Sequence, residues 1–450
     1  MFDARSEEQS VHSLDLAAET TVPSVLPCFG FFRLPVWPDP AKGVPTGRRT
    51  FIGKVAIMPL IPEPLQHRLI QLRRVLHEYP ELSGQEVNTA AVICKFLDGL
   101  AIKYRAHVAG HGVVADIPGR AGVPCVVLRV DTDALPIQED TGLDFASVHD
   151  GVMHACGHDG HTTMLLGAAA LLSEENDLPA PVRLIFQPAE EKGTGALAMI
   201  KAGALEGAGM IFGGHLDRHY HPGAIVVSEG AVNASSDNFT IEIIGQGAHG
   251  ARPHESIDAV VVGSLMIMAL QTIVSREVDP ARPSVVSVGQ FHAGTAPNVI
   301  AGLARLEGTV RAQDPAVRQQ LLSSVRRIAE SIAQLHGAKI QVTVNEGTPP
   351  LINTSDMASL ARRAAVEAVG EANVLPLKTA NMGAEDFSYY MENIPGAYVR
   401  FGSQVPGKEG FPAHSSKFDF DEEALAVGAA YYQAIAKIAG QRLSEQTPRS

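Results

Sequence analysis

From residue 62 onward, helical patterns alternate with short apolar runs, and this alternation constrains the fold more than any other feature. Leucines at helical spacing run over residues 62–99 with a break at Tyr79-Pro80-Glu81, and a later helix is predicted over 158–174. Strands are predicted at the apolar runs 112–117, 125–130, 182–187 and 210–213. Helices between buried strands predict an α/β domain with a mostly parallel sheet, whose functional groups lie at the carboxyl ends of the strands.

The pattern changes near residue 235. The predicted elements then follow the order β-α-β-β-α-β, over residues 238–244, 257–277, 284–290, 304–311, 315–336 and 339–344. This order is typical of an α+β open sandwich of the ferredoxin-like type, with both helices on one face of the sheet. Helix–strand alternation resumes after Thr348-Pro349-Pro350. We therefore predict a catalytic domain in two parts, 58–235 and 347–450, with an inserted domain at 236–346.

Residues 1–57 carry no such periodicity. Their apolar stretch at 22–37 is interrupted by Pro23, Pro27 and Pro35, which is unlike the unbroken apolar core of a signal peptide. We expect a disordered extension there, with Met58 as an alternative start.

Composition narrows the class of protein. The chain of 450 residues has a net charge of −13, which argues against a nucleic-acid groove or an anionic membrane surface as its partner. No run of about 18 apolar residues occurs in the sequence, so no transmembrane helix is predicted. The 4 cysteines are too few for a disulfide framework, which favours a reducing compartment. Together these features are typical of a cytoplasmic globular enzyme.

Two adjacent carboxylates, Glu190 and Glu191, follow the apolar run of residues 182–189. Neighbouring side chains of an extended segment point in different directions, so one carboxylate can bind a metal ion while the other accepts a proton from water. On its own, the pattern is as expected for a solvated pair of acids after a buried strand. The thiol and imidazole groups elsewhere in the chain favour a hydrolytic metal site instead.

Four further side chains of types that bind transition metals could complete such a site: Cys156, His158, His215 and His414. The first two are two residues apart at the start of a predicted helix, and a thiolate can bridge two ions. Taken singly, each of the four has an ordinary structural explanation, but with Glu191 they provide five ligands, enough for two ions. Asp131 and Asp133 end another predicted strand, where turn capping explains them equally well.

Four motifs resemble those of a known family: MHACGHDGH at 153–161, FQPAEE at 186–191, GAHGARPH at 247–254 and GAEDF at 383–387. Together they are similar to the dinuclear metallopeptidases that include the aminoacylases and glutamate carboxypeptidases. Within that family they resemble the amidohydrolases, a group of hippurate hydrolases, N-acyl-amino-acid amidohydrolases and auxin-conjugate hydrolases. The resemblance extends from about residue 62 to residue 439.

The resemblance implies two divalent metal ions with the following ligands: Cys156 as the bridge, His158, Glu191, His215 and His414. It implies that Glu190 is the general base. The inserted domain would be a lid and dimerisation domain in which His249 stabilises the oxyanion, from the same subunit or from its partner. Asn298 and Arg311 resemble positions that meet the substrate carboxylate, although a surface arginine at the end of a strand is an ordinary alternative for Arg311. Three more histidines are not counted as ligands: His154, His161 and His254.

The expected reaction is hydrolysis of the amide bond of a hippurate-like N-acyl amino acid to a carboxylate and a free amino acid. Thiolate and imidazole ligands suit Zn²⁺, and the resemblance allows Mn²⁺, Co²⁺ or Ni²⁺. N-acetyl-diaminopimelate and aminobenzoyl-glutamate conjugates are alternative substrates, and a metal-binding protein without activity is the remote alternative. A homodimer is expected because the predicted strand 238–244 and helix 257–277 would offer a self-complementary edge and face.

The chain departs from the family pattern near the motifs. Lys192 stands where members usually have glycine, and Asp217, His219 and His221 stand where members often have an aromatic residue and a proline. We expect these side chains at the rim of the pocket, where they would affect the choice of substrate more than the chemistry.

Overall fold

The structure is a computed structural model that describes residues 60–408 and 410–447. The extension predicted at residues 1–57 lies outside the described residues. The α-helices are, in chain order, α1 (Glu63–Glu78), α2 (Val87–Gly99), α3 (His158–Ser173), α4 (Gly195–Lys201), α5 (Ala259–Thr272), α6 (Pro315–Leu335), α7 (Ser355–Val369), α8 (Phe387–Met391) and α9 (Glu423–Gln446). Short 3₁₀ turns occupy Pro253–Glu255 and Glu371–Asn373, and a π-helical segment, Ile273–Glu277, continues α5.

The strands are, in chain order, β1 (Lys103–Val108), β2 (Gly112–Ile117), β3 (Cys125–Asp131), β4 (Val182–Gln187), β5 (Ala208–Asp217), β6 (Ile225–Val226), β7 (Gly230–Asn233), β8 (Asp237–Ile244), β9 (Ala248–His249), β10 (Ser284–Ala293), β11 (Val299–Ile300), β12 (Leu303–Ala312), β13 (Lys339–Asn345), β14 (Leu351–Asn353), β15 (Val374–Leu375) and β16 (Gly396–Gly402). β1 was not predicted from the sequence. Its residues are mostly polar because it forms an edge strand with one exposed face, so it lacks an apolar run.

Eight strands form the main sheet in the order β1-β2-β4-β3-β5-β16-β6-β15. The central strands β4, β3, β5 and β16 are parallel, whereas β1 and β2 pair antiparallel at one edge and β6 pairs antiparallel with β16. This arrangement confirms the predicted α/β class with a mostly parallel sheet. The carboxyl ends of the parallel strands therefore meet at one edge of the sheet.

Helix α3 lies in the core and packs against β3, α1 and α9. After a first turn that contains His158, Asp159 and His161, its sequence is apolar or small on every side, as expected of a helix without a solvent face. At its first turn, a Cβ on Gly160 would lie 2.6 Å from the Phe420 ring and 2.8 Å from Leu216, so only glycine allows this approach. The close packing fixes the start of α3 beneath the end of β5.

A second, antiparallel sheet has the order β10-β12-β8-β13. Helices α5 and α6 pack on it and enclose a separate apolar core that includes Phe239, Ile241 and Leu306. The elements follow the predicted β-α-β-β-α-β order, and the separate core supports the predicted insertion. Its boundaries at residues 236 and 346 stay a prediction.

The prediction that residues 238–244 form a free edge of the sheet is wrong. That segment is β8, which lies inside the second sheet with β12 on one side and β13 on the other, so the edges are β10 and β13. The alternating burial of β8 arises because one face of the sheet is covered and the other is open, which a sequence pattern cannot distinguish from an edge.

The helical segment Ala259–Glu277 has the length and the mean hydropathy, 1.7, of a membrane span, although its sequence is interrupted by polar residues. It is the only such segment among the described helices. Length and composition carry little weight here, because one face of α5 packs on the second sheet. The opposite face leaves four large apolar side chains exposed: Val260, Val261, Leu265 and Met268.

Candidate metal centre

The candidate ligands come together at the carboxyl edge of the main sheet. Cys156 and His158 lie at the start of α3, Glu191 follows β4, and His215 lies near the end of β5. The last, His414, comes from the loop between β16 and α9 and donates its backbone N–H to Ala155 O at 2.8 Å. The structure therefore brings together all five side chains that the sequence predicted as ligands.

The five side chains form two groups that share one member. Ligand atoms of Cys156, His158 and His215 lie within 4.8 Å of one another, as do those of Cys156, Glu191 and His414. The Cys156 Sγ atom is 3.3 Å from His215 Nε2, and His414 Nε2 is 3.5 Å from Glu191 Oε1. A sulfur atom common to two groups is the arrangement that a bridging thiolate requires.

Two buried atoms at the centre make no hydrogen bond with any described residue: His158 Nε2 and Glu191 Oε1. Such orphaned atoms are costly in a folded protein unless a ligand satisfies them. Burial and the negative Glu191 also raise the pKa of the Cys156 thiol well above its ordinary range, so a nearby cation is needed to form a thiolate. Thiolate, imidazole and carboxylate donors together fit a pair of divalent transition-metal ions.

Both central histidines are oriented through their Nδ1 atoms. His158 Nδ1 lies 3.3 Å from Asp133 Oδ1, and His215 Nδ1 donates to Leu216 O at 2.7 Å, which leaves both Nε2 atoms free to bind a metal ion. Burial and the neighbouring His161 hold the pKa of His215 well below its ordinary value, so this imidazole is neutral, as a metal ligand must be.

From the sequence, turn capping explained Asp133 as well as a role in the site did. In the structure, Asp133 contacts several residues of the site. Its carboxylate accepts hydrogen bonds from the backbone N–H groups of Glu190 and Glu191, at 3.2 and 3.1 Å, besides its contact with His158. Asp131 lies 2.6 Å from His161 Nδ1. The sequence signal was present: two acids end a strand at the same sheet edge as the predicted ligands.

Glu190 lies beside the ligands with its carboxylate close to those of Glu385 and Asp386. Burial and these two acids raise the pKa of Glu190 well above its ordinary value. Buried Arg129 offsets part of the negative charge, because it pairs with Glu385 at 3.0 Å and with Asp386 at 2.6 Å. A carboxylate with a raised pKa accepts a proton more readily than an ordinary glutamate does.

The backbone before the Glu pair is held in an unusual conformation. Ala189 has φ 56, in the left-handed region, and its N–H donates to the buried Glu86 carboxylate at 2.9 Å. His414 has φ 68. Left-handed conformations cost non-glycine residues about 1–3 kcal/mol, so the surrounding contacts must hold both residues in place.

A cavity of about 820 Å³ opens onto this centre. Its lining includes Glu190, Glu191, His215 and His414 from the main-sheet part and Arg311 from β12. Arg311 donates to Met382 O at 3.3 Å. The volume is within the range of small-molecule sites, which is about 300–1,000 Å³.

Two predicted site residues lie outside this cavity. His249 and Asn298 are exposed, on or beside the small β9–β11 ladder in which His249 pairs with Val299. Neither contributes to the cavity lining. Within a single described chain, the predicted oxyanion histidine therefore does not line the cavity that holds the candidate ligands.

The other three histidines of the motifs are not among these two groups of ligands. His161 is engaged on both sides, by Asp131 at Nδ1 and by the Leu216 backbone N–H, which donates to Nε2 at 2.9 Å. His154 is buried and its ring nitrogens have no hydrogen-bond partner in the described part of the chain. His254 is exposed in a 3₁₀ turn.

Three of the four unusual rim residues line the cavity as expected: Lys192, Asp217 and His219. The Lys192 Nζ atom donates to Ser83 O at 2.9 Å, and His219 Nδ1 lies 2.7 Å from an Asp217 carboxylate oxygen. His221 is exposed and absent from the lining.

Comparison with known proteins agrees with this geometry. The profile of peptidase family M20/M25/M40 matches residues 127–438. The chain is 41% identical over 388 residues to N-acetyl-L-cysteine deacetylase of Bacillus subtilis, covering 86% of this chain and 91% of the relative. It is 37% identical over 383 residues to hippurate hydrolase of Campylobacter jejuni, covering 84% of this chain and 99% of the relative.

Among solved structures, the chain is similar to the YXEP protein of Bacillus subtilis, a dinuclear metal-binding peptidase from the M20 family. The TM-score is 0.74 at 38% identity, and the match covers 84% of this chain and 99% of that one. The resemblance inferred from the motifs is thereby confirmed. The chain belongs to peptidase family M20/M25/M40 and is a hydrolase.

Proposed function

We propose that the enzyme hydrolyses the amide bond of N-acyl amino acids, including hippurate-like substrates, to a carboxylate and a free amino acid. The observation that carries the proposal is the position of Glu190, a base with a raised pKa beside a complete set of metal ligands. A protein that only binds metal needs the ligands but not this base. The names of the relatives, a deacetylase of N-acetylcysteine and a hippurate hydrolase, support the substrate class.

The proposed ligands of two divalent ions are Cys156 as the bridge, His158, Glu191, His215 and His414. Ions bound there would polarise the substrate carbonyl and lower the pKa of water. Mn²⁺ and Zn²⁺ are the proposed occupants, with Co²⁺ and Ni²⁺ as alternatives.

Glu190 performs the proton transfers in this proposal. Its carboxylate takes a proton from the attacking water and later passes it to the nitrogen of the leaving amine. Burial and the neighbouring acids raise the pKa of Glu190, which makes its carboxylate a better proton acceptor than an ordinary exposed glutamate. Arg311, in the cavity wall, would bind the substrate carboxylate, and Asn298 would join it from the partner subunit.

We also propose that the enzyme is a homodimer in which His249 reaches the active site of the partner subunit. The exposed positions of His249 and Asn298, outside their own cavity, support this arrangement. The exposed apolar face of α5, with Met268 at 69% exposure, supports an interface on the second sheet and its helices. Placement in the cytoplasm stays a prediction.

The test is release of free amino acid from hippurate, N-acetyl and indole-acetyl conjugates by enzyme reloaded with Mn²⁺ or Zn²⁺. Glu190→Gln is expected to lower the rate by a factor on the order of 10² or more, while metal stoichiometry stays at two ions per chain. Glu367→Gln, an exposed acid on α7, is the matched control and should keep the wild-type rate. If no conjugate is hydrolysed by enzyme with two bound ions, the proposed substrate class is wrong.

A further inference from the structure

Arg400 is a buried arginine in the wall of the active-site cavity. It lies on β16, opposite His215 of β5 in the parallel register, and both residues line the cavity. Paired residues of neighbouring strands project to the same face of a sheet. The Arg400 side chain therefore lies on the same side of the sheet as a proposed metal ligand, although the residue is only 6% exposed.

The guanidinium of Arg400 forms no ion pair with a carboxylate of the described residues. Its Nη2 atom donates to Asn233 Oδ1, and the guanidinium carbon lies 5.5 Å from the centre of the Tyr398 ring. Two other buried arginines behave differently. Arg73 pairs with Asp159 at 2.9 Å and Arg129 with Asp386 at 2.6 Å.

A buried charge without a counter-ion is costly, so a protein that keeps one generally uses it. Within the described part of the chain, Nε and Nη1 of Arg400 have no hydrogen-bond partner. The residue lines the cavity, so N–H groups that Asn233 does not occupy are available to a carboxylate there.

The guanidinium is also held in position. The Asn233 amide donates from Nδ2 to Gly383 O at 3.1 Å, which turns its oxygen towards Arg400. Arg311 is attached to the same loop, because it donates to Met382 O. One loop thus anchors two arginines that line one cavity, next to the proposed metal ligands.

We propose that Arg400 binds a second carboxylate of the substrate, so that the preferred N-acyl amino acids carry two negative groups. This proposal rests on the proposed function and specifies its substrate class: Arg311 would meet the α-carboxylate and Arg400 the other. The second carboxylate comes from the amino-acid side chain, as in N-acetyl-glutamate, or from the acyl group, as in N-succinyl-alanine. In both cases, the group that is recognised is a carboxylate within reach of the Arg400 guanidinium.

Two pairs of compounds test the proposal, and each pair consists of an acidic compound and its neutral isostere. The first compares N-acetyl-glutamate with N-acetyl-glutamine, and the second compares N-succinyl-alanine with N-succinamoyl-alanine. The wild-type enzyme is expected to favour the acidic member of one pair by roughly 10-fold to 100-fold in kcat/KM, mainly through KM, as for a charge-assisted hydrogen bond. The pair that shows this preference identifies the half of the substrate that reaches Arg400.

In Arg400→Gln, the ratio of the acidic to the neutral member is expected to fall to about one, and Arg400→Lys should restore part of it. Arg105→Gln, which removes an exposed arginine at the far edge of the same sheet, is the charge-matched control and should keep the wild-type ratio. Wild-type enzyme without an acidic preference in either pair would overturn the proposal, whether or not the Arg400 variants fold.

Binding separates this proposal from the proposed function. Dissociation constants of the same four compounds are measured by calorimetry with metal-loaded Glu190→Gln. Tighter binding of an acidic member, lost in the double variant with Arg400→Gln, would support Arg400 even if the wild-type enzyme hydrolysed none of them. Hydrolysis of the neutral and acidic members at equal kcat/KM and equal affinity would overturn the Arg400 assignment and leave the amidohydrolase activity intact.

Discussion

Asp133→Asn tests whether a strand-end carboxylate holds the proposed metal ligands in place. One oxygen, Oδ1, lies 3.3 Å from His158 Nδ1 and 3.2 Å from the Glu190 backbone N. The other, Oδ2, accepts from Ser83 Oγ at 2.6 Å and from the Glu191 backbone N at 3.1 Å. An asparagine keeps one of these acceptor oxygens and replaces the other with an NH₂ group that cannot accept.

The less costly orientation of the new amide points its NH₂ group at Ser83, because a hydroxyl can accept as well as donate. Only the Glu191 backbone N–H then loses its acceptor. A buried donor without a partner costs about 1–3 kcal/mol, and a lost partner of a metal ligand typically lowers metal affinity by about 10-fold to 100-fold. We expect Asp133→Asn to lower metal affinity by that factor and to destabilise the metal-free protein by about 1–3 kcal/mol.

Competition with a chromophoric chelator measures the affinity, and urea unfolding of the metal-free protein measures the stability. Asp116→Asn is the control, since this partly exposed acid on β2 pairs with Arg183 away from the cavity. An Asp133→Asn enzyme that folds and binds both ions within twofold of the wild type would refute the reasoning.

Two further predictions concern stability and assembly. Burial alone would raise the pKa of Glu139, but its hydrogen bonds, above all the one with His77, lower that pKa below 4.5. The ionised carboxylate therefore stabilises the folded protein fully above pH 4.5, and this stabilisation is lost as the pH falls further. Glu139→Gln should therefore lower the free energy of unfolding by about 2 kcal/mol at pH 7 in urea titrations; a difference unchanged at pH 3 would contradict this. Met268→Glu should shift the protein from dimer to monomer in sedimentation experiments. Leu335→Glu, at an exposed apolar residue on α6, should not, and a monomeric wild type would refute the interface.

Four of the five proposed metal ligands could be predicted from the sequence because each stands next to a predicted helix or strand. Cys156 and His158 begin a helix, and Glu191 follows an apolar strand, so the topology of a parallel sheet places them at one edge. His414 lies in a loop that no helix or strand pattern marks, and it was predicted as a further imidazole and from the family resemblance. Its left-handed backbone, like that of Ala189, leaves no trace in the residue type.

The surroundings of the ligands could not be predicted in the same way, because they depend on which distant segments meet. Glu385 and Asp386 lie about two hundred residues from Glu190 in the sequence, yet their charges raise its pKa. The position of His249 is a second case. Its motif indicates an active-site histidine, but the sequence does not indicate that it lies outside the cavity of its own chain.

Arg129 and Arg400 show that the groups around a buried arginine, and not its position in a strand, determine what it can do. Arg129 stands in Cys125–Asp131 and Arg400 in Gly396–Gly402, and both strands are buried along their whole length. In the sequence, each is a single cation within an apolar run. Arg129 meets three carboxylates, so its charge is used within the protein, whereas Arg400 meets an amide oxygen and the cavity. The loops that converge on each strand, and not the strands themselves, distinguish an arginine that stabilises the fold from one that is free to bind an anion.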